Sequence, residues 1–148
     1  MTVLFAFFHH LAAFALVAAL AIELVLVRQE LTLASAKKLM AADAALGIAA
    51  TILLVVGLMR VFYFEKGPDY YWHSHAFLTK FSAFIAAAAL SILPTLEFLS
   101  WRKAVRAGQV PAVKPEKLVF LRKVIHGEFL AIVIILFCAA LMAKGGWM

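Results

Sequence analysis

RVFYFEKGPDYYWHSHAFLTK, residues 60–80, is the one long stretch of this apolar chain that is both polar and aromatic. It holds two histidines, one arginine, two lysines, four tyrosine or tryptophan rings and three phenylalanines. Gly67-Pro68-Asp69 near its centre is a turn signal, because proline presets φ and glycine reaches conformations closed to other residues. The stretch therefore reads as the end of one helix, a short connection and the start of the next. Tyr70, Tyr71 and Trp72 beside the turn have the amphipathic rings that favour a membrane–water boundary.

Outward from this stretch the chain is too apolar for a soluble domain. Of its 148 residues, 66% are hydrophobic and 15% charged, against roughly half apolar in an average soluble domain. A sphere this small cannot enclose such an excess, so lipid must cover it. The fold class is all-α, an integral membrane four-helix bundle forming a single domain over residues 1–148. Helices are expected over about 3–27, 42–64, 75–99 and 117–143. Residues 1–8 contain no Lys or Arg, and the apolar run continues to Val27, so the first segment reads as a retained helix and not a cleaved signal. Residues 28–41 read as a polar connection. Gly145 and Gly146 read as the stop after the last helix. Cys138, the single cysteine, lies in an apolar run and excludes an internal disulfide.

Three-and-four spacing defines the inward faces. On the first helix it links Phe5, His9, Ala12, Leu16, Ala19 and Glu23, while His10 points about 100° away. On the second it links Gly47, Ala50, Leu54 and Gly57, and on the third Lys80, Ala83, Ala87, Ser91 and Pro94. Small residues at these positions allow close helix approach. Pro94 is expected to kink its helix, with Ser91 or Thr95 satisfying the freed backbone group.

Lys and Arg divide unequally between the two ends. One carries Arg28, Lys37, Lys38, Arg102, Lys103, Arg106, Lys114, Lys117, Arg122 and Lys123; the other Arg60, Lys66, Lys80 and Lys144. The positive-inside rule places the heavier end in the cytoplasm and both termini on the external, periplasmic side of a bacterial inner membrane. Basic residues that flank spans in this way describe topology and give no reason to expect nucleic acid.

Two polar layers follow. Glu23, Asp43, Glu97 and Glu128 each lie five residues from a collar cation, about 7–8 Å into the span at about 1.5 Å per residue. One reading is a proton or cation path, or a metal site. The structural alternative is that each acid pairs with a collar Arg or Lys. A ferritin-like di-metal site needs Glu-x-x-His pairs, and His126-Gly-Glu128 has the wrong offset. The outer layer is His9, Arg60, His73, His75 and Lys80. Imidazole is a common haem ligand, so His9, with His73 or Lys80 opposite, is a candidate site for haem b. Arg60, Lys66 and Tyr71 would hold the propionates, and Phe5, Leu16 and Phe64 would line the slot. The alternatives are solvated loop histidines and a Lys80 neutralised by Glu65 or Asp69.

The stretches FHHLAAFALVAALAIE (residues 8–23), GLMRVFYFEKG (57–67), YYWHSHAFLTK (70–80), SILPTLEFLSWR (91–102) and ALMAKGG (140–146) resemble a bacterial family of small four-helix membrane proteins, from which no activity carries over. A looser likeness is to HemJ-type protoporphyrinogen oxidases and CopD-like membrane domains, with His9 and Lys80 at the matching positions. That likeness implies a haem b protein doing redox chemistry near the external face. Residues 60–71 and the last helix depart from it. The competing functions are a small proton or cation transporter using the carboxylates and a non-catalytic membrane scaffold. Partners expected are the lipid bilayer and either a second copy or a membrane redox protein. No phosphate loop, Cys-x-x-Cys or His-Glu-x-x-His motif points to a soluble-type enzyme.

Overall fold

The computed structural model describes residues 1–145, all helix and connection with no strand. The elements are α1 (Thr2–Arg28), α2 (Leu33–Met59) running into a π-helical segment (Arg60–Phe64), α3 (Pro68–Trp72), α4 (His75–Ser100), α5 (Arg102–Arg106) and α6 (Pro115–Ala143). Four stretches are long and apolar enough to cross a membrane: Thr2–Arg28, Leu33–Phe64, His75–Arg106 and Pro115–Ala143. The shortest has 27 residues, about 40 Å of helix against a hydrocarbon layer of about 30 Å.

The packing is a square. α1 lies against α2 and α4 against α6, both along much of their length, while α1–α6 and α2–α4 contacts close the ring more loosely. The main core runs through Leu20, Val27, Leu39, Phe98, Leu121 and Ile125, toward the end that carries the basic collar. A smaller cluster of Val61, Tyr71 and Phe77 sits at the opposite, aromatic end. Outward faces carry large exposed apolar side chains such as Phe14, Ile48, Leu96 and Phe137, as a lipid-facing surface requires.

The second helix begins at Leu33 and not near 42, so most of the expected connection over 28–41 is helical. A capping box sets this start: the Ser35 amide donates to Thr32 Oγ1 (3.1 Å) and the Thr32 amide to Ser35 Oγ (2.8 Å), satisfying two groups otherwise left open at a helix terminus. The connection shrinks to residues 29–32. At the other end, Gly67 adopts a φ of 88°, which glycine tolerates. Pro68 then starts the short α3, so Tyr70, Tyr71 and Trp72 are helical and not part of an open loop.

The inward faces expected for α1 and α4 are present, from Phe5 to the buried Ala12, Ala19 and Glu23, and from Lys80 to the buried Pro94. The face of α2 is met in part: Ala50, Leu54 and Gly57 are half-buried. Gly47 is exposed, and Ala42, Asp43, Leu46 and Ala49 are buried instead. Pro94 lies inside a continuous α4. Neither neighbouring hydroxyl caps the expected carbonyl: Ser91 donates to the Ala88 carbonyl (2.7 Å) and Thr95 to Asp43 Oδ1 (2.8 Å). Gly146, the second glycine of the expected stop, lies outside the described residues.

Candidate functional site: a buried carboxylate cluster

The four carboxylates of the collar end divide into two kinds. Glu97 sits at the rim of α4, where it accepts from Trp101 Nε1 (3.1 Å) and pairs with Lys117 Nζ (3.4 Å). Glu23, Asp43 and Glu128 come from α1, α2 and α6 and are 0%, 8% and 3% exposed. Glu23 lies within electrostatic reach of both others, so three helices converge their acids on one region. Both Glu23 oxygens and Glu128 Oε1 lack a hydrogen-bond partner among the described residues. Asp43 is held by Thr95.

Two collar cations, Arg122 and Arg28, are committed elsewhere. Arg122 Nε donates to the Val27 carbonyl at the end of α1 (3.1 Å), a group with no intrahelical partner there. Arg28 donates to His126 Nε2 (2.7 Å), and His126 Nδ1 donates to the Arg122 carbonyl (2.6 Å), which fixes the tautomer with its proton on Nδ1. Pairing with the collar therefore accounts for Glu97 alone.

Two openings flank the cluster. A groove of about 460 Å³ between α2 and α4 is lined by Asp43, Gly47, Thr51, Thr95, Phe98 and Arg102. A cavity of about 80 Å³ inside the bundle has Glu128 at one end and reaches Ala13, Leu53 and Phe84 toward the other. Its volume admits water, which needs polar partners such as Glu128 and Ser91. Among the described residues, no group of three His, Cys, Asp or Glu side chains is placed to hold a metal ion.

The outer candidates separate in the same manner. His9 is half-buried, its ring 3.4 Å from the position a Cβ on Gly57 would take, so this glycine is what lets α1 approach α2. His9 Nδ1 has no hydrogen-bond partner among the described residues, and Lys80 and Arg60 lie within its electrostatic reach. His73 is exposed and donates from Nδ1 to the Asp69 carbonyl (2.6 Å). His10, also exposed, is bonded to the Ala6 carbonyl (2.6 Å). Arg60 is paired with Glu65 (2.6 Å); that carboxylate therefore does not serve Lys80 as the sequence allowed. Lys66 donates to Tyr70 Oη (3.2 Å) and lies 4.3 Å over its ring. Burial first, then Glu65, pushes the Tyr71 phenol above its ordinary range, so it remains a hydroxyl. The Phe5 and Phe64 rings, expected to line one slot, stack on each other at 4.5 Å. Gly57, expected on a close-packing face, seats His9, while two participants carried no sequence signal for their role: Thr95 bonding Asp43 and Cys138 lying near Lys80. Each is a contact between different helices, invisible to spacing within one.

These features define a small polytopic helical membrane protein with an ionisable interior. The chain belongs to the family described as "Predicted membrane protein (DUF2214)", which matches residues 1–146. No curated protein and no solved structure matches it.

Proposed function

We propose that this protein carries protons, or a small cation, through the bundle by way of Glu23, Asp43 and Glu128. The observation behind this reading is that Glu23 and Glu128 are buried from solvent and together leave three carboxyl oxygens unpartnered among the described residues. An ionised carboxylate without a partner is among the costliest groups to bury, and a proton or cation answers that cost. Asp43 borders the groove, Glu128 borders the inner cavity, and Glu23 is near both, a sequence of steps from one end of the bundle toward its middle. Beyond the cavity stand His9 and Lys80, basic groups that favour the proton over a metal cation as the carried species. The basic collar supports a cytoplasmic position for the carboxylate end and external termini in a bacterial inner membrane.

The test is flux in liposomes under an imposed pH gradient, followed by an internal pH dye. Glu23→Gln and Glu128→Gln are expected to abolish it. Undiminished flux in both variants refutes the reading.

A second reading, a haem b protein with His9 as an iron ligand, has one observation in its favour: the buried, unpartnered His9 Nδ1. Lys80 and Arg60 would then face the propionates, and the Phe5–Phe64 stack would have to open. Haem would supply one-electron chemistry. Its test is a visible spectrum of the purified protein, oxidised and then dithionite-reduced, from a host supplied with haem precursor. A Soret band lost in His9→Ala supports it, and a colourless, folded protein refutes it.

A further inference from the structure

The aromatic end of the bundle carries basic groups that lie beyond the three buried carboxylates. Gly57 and Arg60 are three residues apart on α2 and the segment that continues it, one helical turn on one face. The His9 ring lies on Gly57 and so stands just below Arg60. Lys80 enters from α4, its sixth residue, about 7–8 Å inside the helix start. It is half-buried and turned toward α6, with Arg60 and Cys138 as its electrostatic neighbours. Neither Lys80 nor His9 has a carboxylate among those neighbours. No ion pair or hydrogen bond to Lys80 occurs among the described residues. Glu65, the acid nearest in sequence, contacts Arg60 through Oε1 at both Nε (3.2 Å) and NH2 (2.6 Å).

A half-buried ammonium inside a span pairs, snorkels or binds an anion. Pairing within the described chain is absent, and the depth of Lys80 suits the headgroup region. Exposed rings of Tyr63 and Trp72, 77% and 50% accessible, mark that same boundary. Three donors from three elements (an ammonium, the guanidinium nitrogen that Glu65 does not engage and an imidazole nitrogen) fit a tetrahedral oxyanion. We propose that Lys80, Arg60 and His9 bind a phosphate group at the aromatic end of the bundle. The phosphate belongs to a phospholipid headgroup or is a free ion from the aqueous side.

Native mass spectrometry of detergent-purified, delipidated protein tests this. It is titrated separately with dioleoylphosphatidylglycerol, with inorganic phosphate, and with dioleoylglycerol as the phosphate-free control. One equivalent of phospholipid or of phosphate is expected to bind in preference to the control. Binding of the lipid alone assigns the bilayer as the source, and binding of inorganic phosphate assigns the aqueous phase. Lys80→Gln and Arg60→Gln should each weaken binding at least tenfold, while Lys80→Arg retains it. Should Lys80→Gln fail to fold, Arg60→Gln and Lys80→Arg decide the matter. Glu23→Gln should bind as the wild type does, which keeps this test separate from that of proton transport. Binding no tighter than the control, or binding unchanged in Arg60→Gln and Lys80→Gln, overturns the proposal.

Discussion

The collar end of the bundle buries acids and the aromatic end holds bases, and the two ends treat them differently. At the collar end Arg122 is engaged by a backbone carbonyl, Arg28 by His126 and Lys117 by Glu97. The three deeper acids are left to one another and to Thr95. At the aromatic end Glu65 takes Arg60, and Lys80 and His9 have no ion pair among the described residues. Opposite charges are thus kept apart along the bundle when pairing them would have been cheaper. Removing one partner of a buried pair is costly, but a buried charge that never had a partner is a standing expense. The comparison between the two ends is open to direct challenge.

The largest effect separates the deep acids from the rim acid. Glu23→Gln and Glu128→Gln should each lower proton flux at least tenfold, with thermal stability unchanged or higher, since a neutral amide costs less to bury than a charge. Loss of flux together with loss of folding would make these acids structural and erase the contrast.

The next effect compares two glycines on α2. A Cβ on Gly57 meets His9 Cε1 at 3.4 Å, whereas one on Gly47 meets nothing within 4 Å. Gly57→Leu overpacks the α1–α2 contact and should cost about 1–3 kcal/mol, seen as a lower unfolding midpoint in detergent. Gly47→Ala should be neutral or stabilising by up to about 1 kcal/mol, from the better helix propensity of alanine. Equal effects at the two sites would show that His9 is not seated on Gly57. Thr32→Ala removes the cap of α2 and should cost about 1 kcal/mol, a measure of how firmly that helix begins at Leu33.

The four spans were legible because apolar length is a property of one segment, and so were the faces of α1 and α4. The start of α2 was missed because Lys37 and Lys38 read as loop. The Thr32–Ser35 reciprocal cap was there in the sequence, with serine in place of the more familiar Glu or Gln. The face of α2 was read correctly at Gly57 and wrongly at Gly47, because small residues occur all around that helix and their spacing does not say which of them meet a neighbour. All four carboxylates stand at the same sequence distance from a collar cation. Which of them pair was not legible, because Glu97 finds Trp101 one turn away and Lys117 on α6, while Glu23 faces only other acids.

The smallest effect concerns Glu97. Its carboxylate is 18% exposed and Lys117 is 47% exposed, so solvent screens the pair, and its net contribution should be no more than about 0.5 kcal/mol. Glu97→Gln keeps an acceptor for Trp101 Nε1 and should change neither flux nor unfolding midpoint beyond that amount. Because Glu97 starts from the same depth as Glu23 and Glu128 in the sequence, it is the natural control for both. If Glu97→Gln lowers flux as far as Glu23→Gln does, then depth alone, and not isolation from the collar, is what makes a carboxylate matter here. If it is silent while the other two are not, the distinction drawn by Lys117 and Trp101 is the one the protein uses.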